Sequence, residues 1–398
     1  MMLDREFTRL PEPSNRDQEE FDQDRDGLDE PLLYNDIPDI DENEVDGADS
    51  QGHHATTWQY VETMQNQHGP PSTKGVRGFV SSPYVFFCAT FSALGGLIFG
   101  IDQGIVSIIL VMPQFLERFP EVSESATGSF YKGVLTAMIE LGALIGALNQ
   151  GWIADRYSRK HSIVLAVIVF VLGSTLQTAA TNYTILAVAR LVGGVGIGML
   201  SMVIPLYISE ISPPEMRGSL LVLEELSIVT GIILAFWGTY FTRYISSEWS
   251  WRLPFLLQMV PAIILGTGIL FLPFSPRWLV GQGRDKEALK ALSELRQCSD
   301  TDQRMLQEWF EIRAEAQSQR EVQISRHPYA QESGILQAVK SEMVGFADCF
   351  RKGCWRRTQV GIGLMFFLQV SISHHRSSLH TKTHRSLWES MLCKSIVV

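Results

Sequence analysis

Six apolar runs, each about long enough to cross a bilayer, constrain this chain more than any other feature. They cover roughly Val85–Met112, Tyr131–Ile153, Ser162–Ala180, Thr184–Ile208, Ser219–Phe241 and Leu253–Phe274. A hydrocarbon core of ~30 Å takes about 20 helical residues to span. Lipid offers the backbone no hydrogen-bonding partners, so such runs must be helices or strands of a closed barrel, and runs this long are helices. Joined by short polar loops, they cannot be the core of a soluble domain. The expected fold class is therefore all-α, a polytopic membrane protein built on a six-helix bundle.

Charge divides the chain further. Residues 1–50 hold 18 acids and 4 bases, so the overall −10 conceals a remainder that is +4. Four regions are expected. Residues 1–80 form an acidic arm too poor in apolar side chains to build a core. Residues 81–280 hold the six spans, and 281–357 form a loop with amphipathic helices. Residues 358–398 hold an aborted seventh span and an irregular basic tail. The arm has no basic segment leading into an apolar one, so the first span is expected to act as its own signal. Basic clusters of the kind that bind phosphates are missing, which argues against a nucleic-acid partner. The 5 cysteines show neither a disulfide framework nor zinc spacing.

Lys and Arg near the span ends set orientation. Lys74, Arg77, Arg156, Arg159, Lys160, Arg217, Arg277, Arg284, Lys286 and Lys290 fall on one side, against Arg118, Lys132, Arg243 and Arg252 on the other. That bias predicts a cytosolic N-terminus and returns the 281–357 loop to the cytosol. In this loop Leu289, Leu292 and Leu295 repeat at helical spacing, as do Met305, Trp309 and Ile312. The stripes read as a solvated amphipathic linker packed under the membrane domain. Inside the spans, Gly96, Gly100 and Gly104 fall four apart, as do Gly142 and Gly146, and Gly194 and Gly198. Such faces let helices approach closely in lipid.

Ionisable residues within the spans are few: Asp102, Glu140, Arg190, Glu224 and Glu225. Each costs about 2.5–3.5 kcal/mol at a helix centre on insertion scales, so each should be paired or face a polar cavity. At ~1.5 Å per residue, Asp102 and Glu140 lie about 15 and 14 Å from the outer surface and Arg190 about 9 Å. All three can share the outer half of one cavity, with Asp102 and Arg190 the best pair. A structural ion pair that merely fixes two helices is the alternative. Asp22 to Gly27 opens like an EF-hand loop, but Leu33 stands where that loop needs a bidentate Glu. His374, His375, His380 and His384 cluster in a tail that gives them no framework. No nucleophile–base pairing, phosphate loop or metal spacing appears in the spans. An enzyme, a cofactor and a resident metal are therefore not expected.

Three blocks, in order, carry a family resemblance. Gly151-Trp-Ile-Ala-Asp155-Arg156-Tyr-Ser-Arg159-Lys160 follows the second span. Pro205-Leu-Tyr207-Ile-Ser-Glu210-Ile-Ser-Pro-Pro-Glu-Met-Arg217-Gly218 follows the fourth. Pro273-Phe-Ser-Pro276-Arg277-Trp278 follows the sixth. Together they resemble the sugar porter family of the major facilitator superfamily over about 81–367. Ser158 stands where that family usually has Gly, and Phe274 replaces an acid.

The resemblance implies a cytosolic gate of Asp155, Arg156, Arg159, Glu210, Arg217 and Arg277, weakened by the missing acid at Phe274. It implies proton coupling through Asp102 and Arg190, with Glu140 a further candidate. It places the sugar-binding fifth-span segment at Glu225, Ser227 and Ile228, with a carboxylate where the family has an amide. The implied function is hexose-type monosaccharide transport, as sugar:proton symport by alternating access. Sugar, protons and membrane lipid are the partners, and the plasma membrane is the expected location. A transporter-shaped sugar sensor and an inactive fragment are the alternatives. After Phe367 the family would continue with a sugar-contacting motif, whereas this chain reads Leu368-Gln369-Val370-Ser371. The second six-helix half is therefore expected to be missing, and the half-transporter could self-associate.

Overall fold

A computed structural model describes residues 83–367, except 124–125, 300–301, 327–344, 346–348, 352–353 and 365. The acidic arm, the EF-hand-like run, the histidine cluster and the tail lie outside the described residues. Two compact units divide between Arg320 and Glu321. Of the second, residues 355–364 are helical.

The first unit is all-α, with no strand among the described residues. Helices α1 (Pro83–Ser92) and α2 (Leu94–Ile109) make the first span. The short α3 (Pro113–Arg118) and a 3-10 turn at Pro120–Val122 lead into α4 (Ala126–Tyr157), the second. Spans three to five are α5 (Arg159–Thr178), α6 (Tyr183–Ile211) and α7 (Arg217–Thr242). The sixth joins α8 (Trp249–Leu257), α9 (Met259–Gly268) and a 3-10 turn, Ile269–Phe271. Then come α10 (Pro276–Gly281), α11 (Asp285–Arg296) and α12 (Gln303–Arg326).

All six expected spans are present, but several helices outrun their apolar runs. The second was expected over Tyr131–Ile153, and α4 extends beyond it at both ends. Hydropathy marks the thickness of lipid, whereas a helix continues in water wherever capping and packing allow.

Helix α6 is the buried axis of the bundle. Of its most apolar window 61% is buried, against 22% for α4 and for α7. It packs on α4 and on α5, while α2 packs on α7. Small residues set these distances. A Cβ on Gly100 would collide with the Ile228 carbonyl of α7, and one on Gly198 with the Ala143 carbonyl of α4. The outward faces of α4 and α7 present Leu141, Leu144, Leu148, Leu226, Val229 and Ile233, all exposed. At one end Phe115, Phe119 and Trp251 are buried and close edge to face, with centroids 5.8 and 5.5 Å from the indole.

At the other, polar end, α10–α12 are better packed than a solvated linker would be. Leu279, Leu289 and Leu292 join Met305, Trp309 and Ile312 in one buried cluster, while Leu295 enters the main core. The amphipathic stripes expected to pack under the membrane domain close largely against one another.

Candidate functional site

Two separated groups of polar side chains stand out, one deep in the bundle and one at its polar end. The deep one follows from helix geometry. On α2 the glycine face turns toward α7, and Asp102, two residues past Gly100, lies about 200° around from it. That rotation aims Asp102 at α6. There its Oδ2 accepts a hydrogen bond from Arg190 Nη2 at 3.3 Å. The two side chains are 1% and 3% exposed. The pair is incompletely satisfied: Asp102 Oδ1 and Arg190 Nε and Nη1 have no hydrogen-bond partner among the described residues.

A further set of buried polar side chains, on α5 and between α8 and α9, was missed by sequence reasoning. Gln258 donates to Ser174 Oγ at 3.0 Å, and Gln177 is fully buried with neither amide atom paired. The Gln177 amide occupies the space left by the missing side chain of Gly193, one helical turn from Arg190. Counting only ionisable residues passed these over. Amides and hydroxyls within apolar runs were the available signal.

The structure does not bring the other expected residues to this pair. Glu140 is exposed on α4 and makes no hydrogen bond or ion pair among the described residues. Depth along a helix gives height but not azimuth, so agreement in height overstated the grouping. On α7, Glu225 is exposed on the open face. Ser227 donates to the Leu223 carbonyl of its own helix at 3.0 Å, and Ile228 packs beside Gly96 of α2. Of that segment, Glu225 has an exposed polar side chain with no hydrogen bond or ion pair among the described residues.

At the polar end Arg159 is the hub. It meets Glu210 through two nitrogens, Nε to Oε2 at 3.0 Å and Nη2 to Oε1 at 2.9 Å, and donates to Asp155 at 2.7 Å. A guanidinium suits this because its planar fork matches a carboxylate in two-point geometry. Arg277 reaches Glu315 on α12 at 2.5 Å, not a residue of the spans. Trp278 and Gln282 both donate to the Asp155 carbonyl. Arg296 holds Glu308 and donates to the Ile211 carbonyl at the end of α6 at 3.0 Å. Arg156 and Arg217 form no ion pair among the described residues.

The two departures from the family pattern find physical accounts here. At Phe274, Lys160 Nζ lies 4.3 Å from the centre of the ring and donates to the Leu270 carbonyl. A cation over an aromatic face is worth about 0.5–2 kcal/mol. Ser158 adopts φ 102° and ψ 156°, a region nearly confined to glycine. Its hydroxyl caps α5 by accepting from the His161 amide at 3.3 Å. Replacing Ser by Gly at a cap loses only a few tenths of a kcal/mol, whereas the strained conformation costs about 1–3 kcal/mol. Ser158→Gly should therefore raise the temperature at which the purified chain loses monodispersity. A lower temperature would show that the hydroxyl contributes more than the strain costs.

The chain is similar to several known proteins. A family model described as "Sugar (and other) transporter" matches residues 88–370. The MFS-type transporter criB of Aspergillus cristatus is 32% identical over 293 residues, covering 72% of this chain and 57% of that protein. The MFS glucose transporter mfs1 of Aspergillus flavus is 30% identical, covering 72% of this chain and 51% of its own length. Among solved structures, the proton:xylose symporter XylE bound to 6-bromo-6-deoxy-D-glucose superimposes with a TM-score of 0.55 at 26% identity. That match covers 61% of this chain and 55% of XylE. The chain spans about half the length of the curated relatives it matches.

Proposed function

The chain belongs to the sugar (and other) transporter family of the major facilitator superfamily, and on that premise we propose that it serves hexose:proton symport by alternating access. The observation that carries this reading is the buried Asp102–Arg190 pair within the matched region. Proton uptake requires an acid that can change its charge state as the cavity changes access. Asp102 fills that role, and Arg190 supplies the positive charge that holds the deprotonated form and drives the proton off on the return step. When Asp102 is neutral, its hold on the guanidinium weakens, and the helices the pair joins can shift. Glu225, on the open face of α7, is the group placed to accept hydrogen bonds from sugar hydroxyls.

Support for the substrate comes from the relatives: one is named a glucose transporter, and one solved structure is a proton:xylose symporter. In this superfamily the substrate lies near the midplane between repeats that rock around it. The Arg159–Glu210–Asp155 network, with Arg277 on Glu315, then acts as the gate at the polar end. The excess of Lys and Arg at that end favours a cytosolic N-terminus, with the acidic arm of 1–80 and the 281–357 helices on the same side. The plasma membrane is the location that suits uptake. Lipid covers the apolar faces of the spans, and self-association of two such bundles would cover the open face.

The test is uptake of labelled glucose by a whole transporter carrying this bundle, in a host without its own hexose carriers and with surface expression checked. Saturable uptake competed by unlabelled hexose, with alkalinisation of the medium, is expected. Surface-expressed protein with no uptake and no proton movement would overturn the reading.

A further inference from the structure

We propose that Glu224 is a second proton-binding site of the bundle, seated in the seam between α2 and α7. The helix turns 100° per residue, so the adjacent acids of α7 point in different directions. Glu225 is exposed, while Glu224 is only 6% exposed. What seats it is Gly96 of α2. A Cβ there would come within 3.3 Å of Glu224 Cγ and 3.0 Å of its carbonyl oxygen, so the stem of Glu224 lies over the missing side chain. Glu224 is seven residues into α7 from Arg217, ~10 Å along the helix.

No cation accompanies it. Among the described residues the Glu224 carboxyl makes neither an ion pair nor a hydrogen bond. The groups on the elements packed against α7 are engaged elsewhere. On α2 the sole charged residue is Asp102, held by Arg190 of α6. On α6, Glu210 is held by Arg159, Tyr183 donates to the Tyr131 carbonyl and Tyr207 to the Pro273 carbonyl. Helix α1 brings Tyr84 and Cys88 but no charge. On α8, Arg252 donates to the Thr178 and Ala180 carbonyls and meets Glu248. On α7 itself Tyr240 accepts from Tyr244, and Arg217 stands two turns away at the helix start. The carboxyl nearest in sequence is Glu225, of like charge.

An ionised carboxylate in that seam is disfavoured by removal from water and by its neighbour, with no cation to offset either. A bound proton removes both penalties. The slight remaining exposure of Glu224 lets that proton exchange. The inference extends the reading above, which assigns coupling to Asp102, and its test measures protonation without transport. Either can therefore fail alone.

Dicyclohexylcarbodiimide is the probe, because it is apolar and reacts with protonated carboxyls. The acid proton passes to a carbodiimide nitrogen, the carboxyl oxygen bonds to the central carbon, and rearrangement leaves a stable acylurea. The purified chain in phospholipid nanodiscs should carry this adduct on Glu224, located by fragment mass spectrometry. The yield should fall as the pH is raised, because the reaction needs the protonated acid. Glu225 should instead take a water-soluble carbodiimide. Glu224→Gln, which keeps the shape, should stay monodisperse and lose the apolar adduct. Absence of adduct on Glu224 at every pH, or equal apolar labelling of Glu225, would overturn the proposal.

Discussion

Arg190→Ala should destabilise the purified bundle by about 3–5 kcal/mol, the usual cost of removing one partner from a buried ion pair. The geometry puts this site at the severe end. Asp102 is fully buried, Arg190 Nη2 is its hydrogen-bond donor, and Oδ1 has no partner among the described residues. Without the guanidinium the chain must leave a bare carboxylate in the core or neutralise it. Neutralising an ordinary aspartate at pH 7 costs about 4 kcal/mol, from roughly three pK units at 1.36 kcal/mol each. The cheaper route prevails, so the loss is capped near that figure and should shrink as the pH is lowered. Removing both charges is a different matter, since a buried pair replaced by apolar groups of similar volume is often neutral. Asp102→Leu/Arg190→Met should therefore recover most of the stability. The temperature at which each variant leaves the monodisperse peak, measured near pH 7 and again near pH 5, checks all of this. A double variant as unstable as Arg190→Ala would show that the side chains pack rather than pair.

That contrast also explains which parts of the site were legible in the sequence. A charge inside an apolar span must be compensated, so Asp102 and Arg190 could be matched before any coordinates existed. The position of Glu140 could not be fixed in that way, because residue counting gives height along a helix and leaves the facing direction open. At the polar end, a contact was legible only where a motif named both partners, as for Arg159 and Glu210. Arg277 meets Glu315, which lies 38 residues on, in a segment whose pattern showed helices but not where they dock. Gln177 and Gln258 went unnoticed because amides in a span carry no formal charge. Yet a buried amide with no partner costs on the order of 1–3 kcal/mol, enough to ask what completes it. The spans themselves were plain, since lipid demands length and apolarity with few exceptions.

Asp102→Asn should abolish accumulation of hexose against its gradient in a whole transporter carrying this bundle, while downhill exchange persists. Asparagine has nearly the shape of aspartate, and its carbonyl oxygen can still accept from Arg190 Nη2, so the α2–α6 contact survives. It cannot bind and release a proton. A carrier without that step can only equilibrate its substrate, so the accumulation ratio should fall to unity. This variant separates chemistry from architecture in a way that Arg190→Ala does not, because it keeps the volume and the hydrogen bond and removes only the titratable group. Counterflow of labelled against unlabelled glucose measures the surviving exchange, and a pH electrode in the medium measures the protons. Proton movement at the parental ratio in Asp102→Asn would transfer the coupling role to another carboxyl. Glu224, buried against Gly96 and lacking a cation, would then be the residue to replace next.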